Sequence, residues 1–86
     1  MKVRLEPILV ECRESLPHRL VWRRRHFLVQ EVMEHFQVGG RWWMNQRLRP
    51  ATRRYYTVRV RMQNGGECSL EIFSEHGQWR LSREID

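Results

Sequence analysis

Three short segments of the chain interleave arginine with aromatic rings: Trp22-Arg23-Arg24-Arg25-His26-Phe27, Arg41-Trp42-Trp43 and Arg53-Arg54-Tyr55-Tyr56. Guanidinium forks donate to phosphate oxygens, and exposed rings stack on bases, so the pattern suits nucleic acid. Arginine supplies 15 of the 16 basic residues, Lys2 is the single lysine, and the net charge is +6. A basic surface is necessary for polyanion contact but not sufficient, because arginine enrichment can also be a compositional habit of a genome. The candidate phosphate contacts are Arg23, Arg24, Arg25, Arg41, Arg53, Arg54, Arg59 and Arg61, with Trp43 and Tyr55 as stacking candidates. The Arg23–Arg25 run at a hairpin tip reads equally as a solvated turn or as a loop that probes a groove.

Other chemistries find less support. His18, His26, His35, His76, Cys12 and Cys68 show no C-x-x-C, H-x-x-x-H or H-E-x-x-H spacing, so no metal ligand is assigned. Ser15, Ser69, Ser74 and Ser82 sit in no G-x-S-x-G elbow. Cys68 falls on an apolar strand face, away from the electropositive setting that activates a thiol. Glu31 with Glu34 and Glu71 with Glu75 read as surface carboxylates, and Gly39-Gly40 and Gly65-Gly66 as turn glycines rather than a phosphate cradle. No catalytic residue and no cofactor is expected; the chain reads as a binding module.

The elements that must position the arginines are strands. Leu5–Cys12 reads as a strand, at an edge or beginning after Pro7, which cannot donate to a ladder. Ser15-Leu16-Pro17 marks a turn. Arg19–Arg23 alternates, with Leu20 and Trp22 on one face, and a tight hairpin at Arg24-Arg25 leads into His26–His35. Within that segment Val29, Val32, Met33 and Phe36 fall at helical spacing, so residues 30–36 read as strand running into a bend or as helix; valine and phenylalanine favour strand. The Arg-rich connection 41–54 contains Pro50, which excludes a long helix and leaves room for a short helical turn near Trp42.

The last third alternates most clearly. Tyr56, Val58, Val60 and Met62 share one face, and Asn64-Gly65-Gly66 signals a hairpin into Cys68, Leu70 and Ile72. An Asn-Gly-Gly loop sets Met62 opposite Cys68, Val60 opposite Leu70, Val58 opposite Ile72, and Arg59 opposite Glu71. A second turn at His76-Gly77 points Trp79 and Leu81 inward, with Ile72 opposite Leu81 and Cys68 opposite Ile85. Trp22, Tyr56 and Trp79 read as core, Tyr55 as outer face. Five or six short antiparallel strands follow, closed into a small SH3-like or OB-like barrel or a strongly bent sheet that hides its edges.

Eighty-six residues make one domain, 1–86, whose core is modest. The composition, 41% hydrophobic and 30% charged, supports an ordered fold. The N-terminus lacks an export h-region, no stretch is apolar enough to span a membrane, and two distant cysteines suit reduced thiols; a cytoplasmic protein is expected.

The stretches RLVWRRRHFLVQEV (19–32), GGRWW (39–43), RRYYTVRV (53–60) and GQWRLSREID (77–86) occur in that order. They resemble a family of small bacterial proteins of unassigned function, and Trp22, Trp42, Trp43, Tyr56, Trp79 and Asp86 match its pattern. That pattern is similar in turn to the C-terminal part of ImuB-type proteins, non-catalytic relatives of Y-family polymerases that act as adaptors in translesion synthesis. There the module follows a polymerase-like region, which these 86 residues do not contain. Where the family often has glycine this chain has Arg24, which implies a different turn at that tip. The resemblance implies a DNA-repair or damage-tolerance setting, DNA as the nucleic acid, and a partner in a repair complex. The rival expectation is a protein-interaction module or homodimer that docks through an edge strand or a tryptophan-rich patch.

Overall fold

The computed structural model describes residues 2–38 and 53–85. Six antiparallel strands are present: β1 (Lys2–Arg13), β2 (Leu16–Trp22), β3 (Arg25–Val38), β4 (Arg53–Met62), β5 (Glu67–Glu75) and β6 (Gln78–Glu84). Each pairs with its sequence neighbour and β6 returns to β1, closing a barrel. This sequential order is the up-and-down arrangement rather than the Greek-key order of an OB barrel.

Turn chemistry sets the hairpins. Glu14-Ser15, Arg23-Arg24 and His76-Gly77 all have φ between 53° and 77°, the positive pair that a two-residue type I′ connection requires. The Arg23-Arg24 turn lies one residue earlier than expected, with Trp22 opposite Arg25. The first turn is likewise Glu14-Ser15, and Leu16-Pro17 already belong to β2. Pro7 is not in an edge strand: it pairs with Arg80 of β6, on a stretch of β1 whose ladder to β2 begins only at Leu9.

The β4–β5 loop corrects the register. Met62 O accepts from Gly65 N at 2.9 Å, and Met62 N donates to Gly66 O at 2.7 Å. The loop is therefore Gln63-Asn64-Gly65, with Gly65 at φ 90°. Val60 faces Cys68, Val58 faces Leu70 and Tyr56 faces Ile72, two residues from the expected register, so the inward faces are kept. Glu71 consequently lies opposite Thr57, and Arg59 opposite Ser69. Ile72 does face Leu81, but a bulge between Glu71 and Ile72 moves the pairing, and Ile85 N donates to Ser69 O rather than meeting Cys68.

Strand β3 carries two bulges, between Val29 and Glu31 and between Val32 and Glu34. Val29, Val32 and His35 thereby face Val60, Val58 and Tyr56 on one side of the hairpin. Each bulge adds one residue to a period of two. The resulting spacing of three imitates a helix in the sequence.

Leu20, Val58, Val60, Leu70, Ile72 and Leu81 are fully buried, with Ile8, Trp22, Phe27 and Tyr56 completing the core; Trp79 packs against it half-buried. β5 is covered on both faces, since Ser69, Glu71 and Phe73 are buried too. Glu71 accepts from Ser82 Oγ at 3.0 Å, and its Oε2 lies 2.8 Å from Arg83 Nε.

Candidate nucleic-acid interface

Strand parity decides what decorates the outside of the barrel. Leu9, Val21 and His26 form one cross-strand row over β1, β2 and β3. Glu11, Arg19, Leu28 and Arg61 form the next, reaching β4. An open groove of about 770 Å³ lies over the first row, lined among others by Pro7, Leu9, Arg19, Val21, His26 and Arg80. Smaller depressions share these residues and extend the groove to Arg23 and Arg24 on one side and to Leu28 and Arg61 on another. A further one joins His26 to Arg25. The floor is apolar and open to solvent: Leu9 is 71% exposed and Leu28 40%.

The rim is mainly cationic, with Glu11, opposite Arg19 in the ladder, as the one carboxylate among the described residues that line it. Among the described residues Arg19, Arg24, Arg25 and Arg80 have no carboxylate within ion-pair distance, and all four are exposed. Arg61 is held by Glu67 at 2.9 Å, and Arg59, on the same outer face, lies 3.7 Å from Glu31. These surface pairs are worth about 0–1 kcal/mol each, so a phosphate can compete for the guanidinium.

Arg23 is committed differently. It donates to both oxygens of Glu6 at 2.9 and 2.8 Å, and its guanidinium lies 4.9 Å from the Trp22 ring centre. Glu6 also accepts from Trp22 Nε1 at 3.2 Å, and Arg4 covers the same ring. The hydrogen bonds from Arg23 hold the Glu6 carboxyl below its ordinary range. Arg23 thus pins the turn, and Arg24 projects from it. Both sit in the left-handed region, which disfavours side chains with a Cβ.

Arg53, Arg54 and Tyr55 lie toward the other end of β4, where Phe73, in contact with Arg53 and Tyr55, is the ladder partner of Arg80. Six residues of β4 separate Tyr55 from Arg61, roughly 20 Å along the strand. Tyr55 is the middle of a three-ring ladder: Phe36 stacks on it at 5.0 Å and Phe73 tilts against it at 5.2 Å. Arg53 donates to Tyr55 Oη and to Glu75, and lies over Phe73. Arg54 is exposed, facing Ser74 and Gln37 across the ladder. On the opposite face His35, Tyr56 and Trp79 form a second ladder.

Of the residues singled out in the sequence, Arg23, Arg24, Arg25 and Arg61 line the groove or its extensions, and Arg59 lies beside it. Arg53, Arg54 and Tyr55 form a distal group, and Arg41 and Trp43 lie outside the described residues, as does the turn near Trp42. Arg19, Arg80, His26, Leu9, Val21 and Leu28 were not singled out, because they cluster only across strands. Their signal was parity: residues 19, 21 and 23 share a face, as do 26 and 28.

Among the described residues no three histidine, cysteine or acidic side chains come together as a metal site. Partial desolvation pushes the Cys12 thiol up, away from thiolate. No helix among the described residues is long and apolar enough to cross a membrane. A family model described as "Domain of unknown function (DUF6504)" matches residues 2–86. No curated protein and no solved structure matches the chain.

Proposed function

We propose a function for this chain, which belongs to the DUF6504 family: it is a non-catalytic module that binds nucleic acid on the outer face of β1, β2, β3 and β6. The observation that carries the reading is the groove whose rim holds Arg19, Arg24, Arg25 and Arg80 without carboxylate partners among the described residues. Cations left unneutralised around a concavity attract a polyanion and release its counterions on contact. The Arg23-Arg24 turn adds support. It carries Arg24 to the rim on a positive-φ pair of the kind that also makes the Glu14-Ser15 and His76-Gly77 connections.

DNA as the ligand, and a cytoplasmic damage-tolerance setting, rest on the resemblance of the Trp42-Trp43, Tyr56 and Trp79 segments to ImuB-type adaptor modules. Titration of labelled single- and double-stranded oligonucleotides, followed by fluorescence anisotropy at two salt concentrations, tests the binding. Micromolar or tighter, salt-sensitive association supports it, and an unchanged signal at low salt refutes it.

A second reading has its own observation. Beyond Leu28, strand β3 has no ladder partner on its β2 side among the described residues, and Met33, Phe36 and Val38 are exposed along it. Such an edge accepts a strand from a protein partner or from a second copy of the chain. Light scattering over a range of concentrations distinguishes a homodimer from a monomer; an edge mutation that leaves every association unchanged counts against this reading.

A further inference from the structure

The groove separates its chemistry by position. Leu9, Val21 and His26 occupy the floor, with Leu28 in the next row, while the arginines stand around it on β2, β6 and the Arg24 turn. A duplex presents phosphates and base edges and keeps its base faces stacked inside. Against a duplex, the exposed leucines would meet charged backbone and contribute nothing. A single strand turns unstacked base faces outward, and these seek apolar or aromatic platforms while the backbone follows the cations.

We infer that the groove takes single-stranded nucleic acid, with bases seated on Leu9, Val21 and His26 and with phosphates on Arg19 and Arg80. The inference rests on the nucleic-acid reading of this groove and adds the class of ligand. Charge complementarity and an apolar floor together select this occupant: an acidic peptide would satisfy the rim but leave the floor bare. From Arg80 on β6 to His26 on β3 the path crosses three inter-strand gaps, roughly 14 Å, room for a few nucleotides. His26 supplies a ring for stacking, and Leu9, at 71% exposure, presents most of its side chain to the groove.

The test uses the intact 86-residue chain and four labelled probes at one salt concentration. These are a mixed-sequence single strand, an abasic strand with the same number of phosphates, the corresponding duplex, and polyglutamate of equal charge. The single strand is expected to bind about ten-fold more tightly than the abasic strand, within the range that one lost base contact costs. It should also exceed the duplex and polyglutamate. Leu9→Ser with Leu28→Ser should weaken the single strand about ten-fold and leave the abasic strand unchanged; both side chains are exposed, so the fold is retained. Circular dichroism confirms that retention, and Leu9→Ser alone, at the more exposed position, provides the second variant. Equal affinity for normal and abasic strands overturns the inference while leaving phosphate binding intact. Tighter binding of the duplex or of polyglutamate also overturns it. Absence of binding to every nucleic-acid probe overturns both the inference and the reading beneath it.

Discussion

Removing Arg19 and Arg80 together should flatten the salt dependence of oligonucleotide binding without unfolding the barrel. Both side chains are exposed, and neither has a carboxylate partner among the described residues. Their loss therefore strands no buried charge, and a stability change within about 0.5 kcal/mol is expected. Taking Arg19, Arg24, Arg25 and Arg80 as about four phosphate contacts, a single strand gives a log–log salt slope near −3. Raising salt from about 50 to 200 mM then weakens binding about 50-fold. The Arg19→Ala/Arg80→Ala variant keeps about two contacts, so its slope falls to about −1.4 and the same change weakens binding about seven-fold. Arg53→Ala serves as the contrast: its guanidinium is already engaged by Glu75 and Tyr55, so the slope should stay close to the wild-type value. The assay is anisotropy over several salt concentrations. A wild-type slope shallower than about −1, or a double variant that keeps the wild-type slope, refutes the assignment of phosphates to this rim.

Further perturbations address the scaffold. Arg24→Gly should raise Tm by a few degrees, because glycine accepts φ near 64° with less strain and Arg24 holds no carboxylate there; affinity for nucleic acid should fall in the same variant. Glu71→Ala should cost about 2–3 kcal/mol, since it leaves Ser82 and Arg83 without their shared buried acceptor, seen as a Tm drop of 10 °C or more, roughly. Glu71→Gln, which keeps an acceptor, should lose less. The Glu6–Arg23 pair predicts a pH effect of defined sign. The folded Glu6 carboxyl lies below its ordinary value of 4.5, so the stability it contributes is present above that value and disappears as pH falls through the lowered one. The Tm gap between wild type and Glu6→Gln should therefore be open at pH 7 and close under strong acid, about pH 2–3; a gap that persists there contradicts the pairing.

Which parts of this were legible before the fold was known follows from how each signal is encoded. Alternation of Tyr56, Val58 and Val60 with Thr57, Arg59 and Arg61 states a strand directly, and the buried face is the one it implies. Register was not legible, because Gln63-Asn64-Gly65 and Asn64-Gly65-Gly66 are both three-residue loops and preserve the same faces. Only the hydrogen bonds of Met62 distinguish them. Bulges hid a second class of detail: two in β3 spaced Val29, Val32 and His35 by three and imitated a helix. The arginine–aromatic segments were legible as sequence, yet proximity in sequence is not proximity on a barrel. Arg53, Arg54 and Tyr55 share strand β4 with Arg61 but lie at its other end, whereas Arg19 and Arg80, far apart in the chain, line one groove. Trp22 reads as core from its place on an apolar face, and the barrel buries it, with Arg4 and Arg23 over its ring.

Nucleic acid is proposed to lie on the Leu9–Val21–His26 face with Arg19 and Arg80 at its rim. The most direct test is amide chemical-shift mapping of the isotope-labelled chain titrated with a short single-stranded oligonucleotide. The largest changes are expected at Leu9, Arg19, Val21, Arg24, His26 and Arg80, with little change at Phe36, Arg53 or Tyr55. Changes concentrated on Phe36, Arg53 and Tyr55, or none at all under low salt, would contradict this placement.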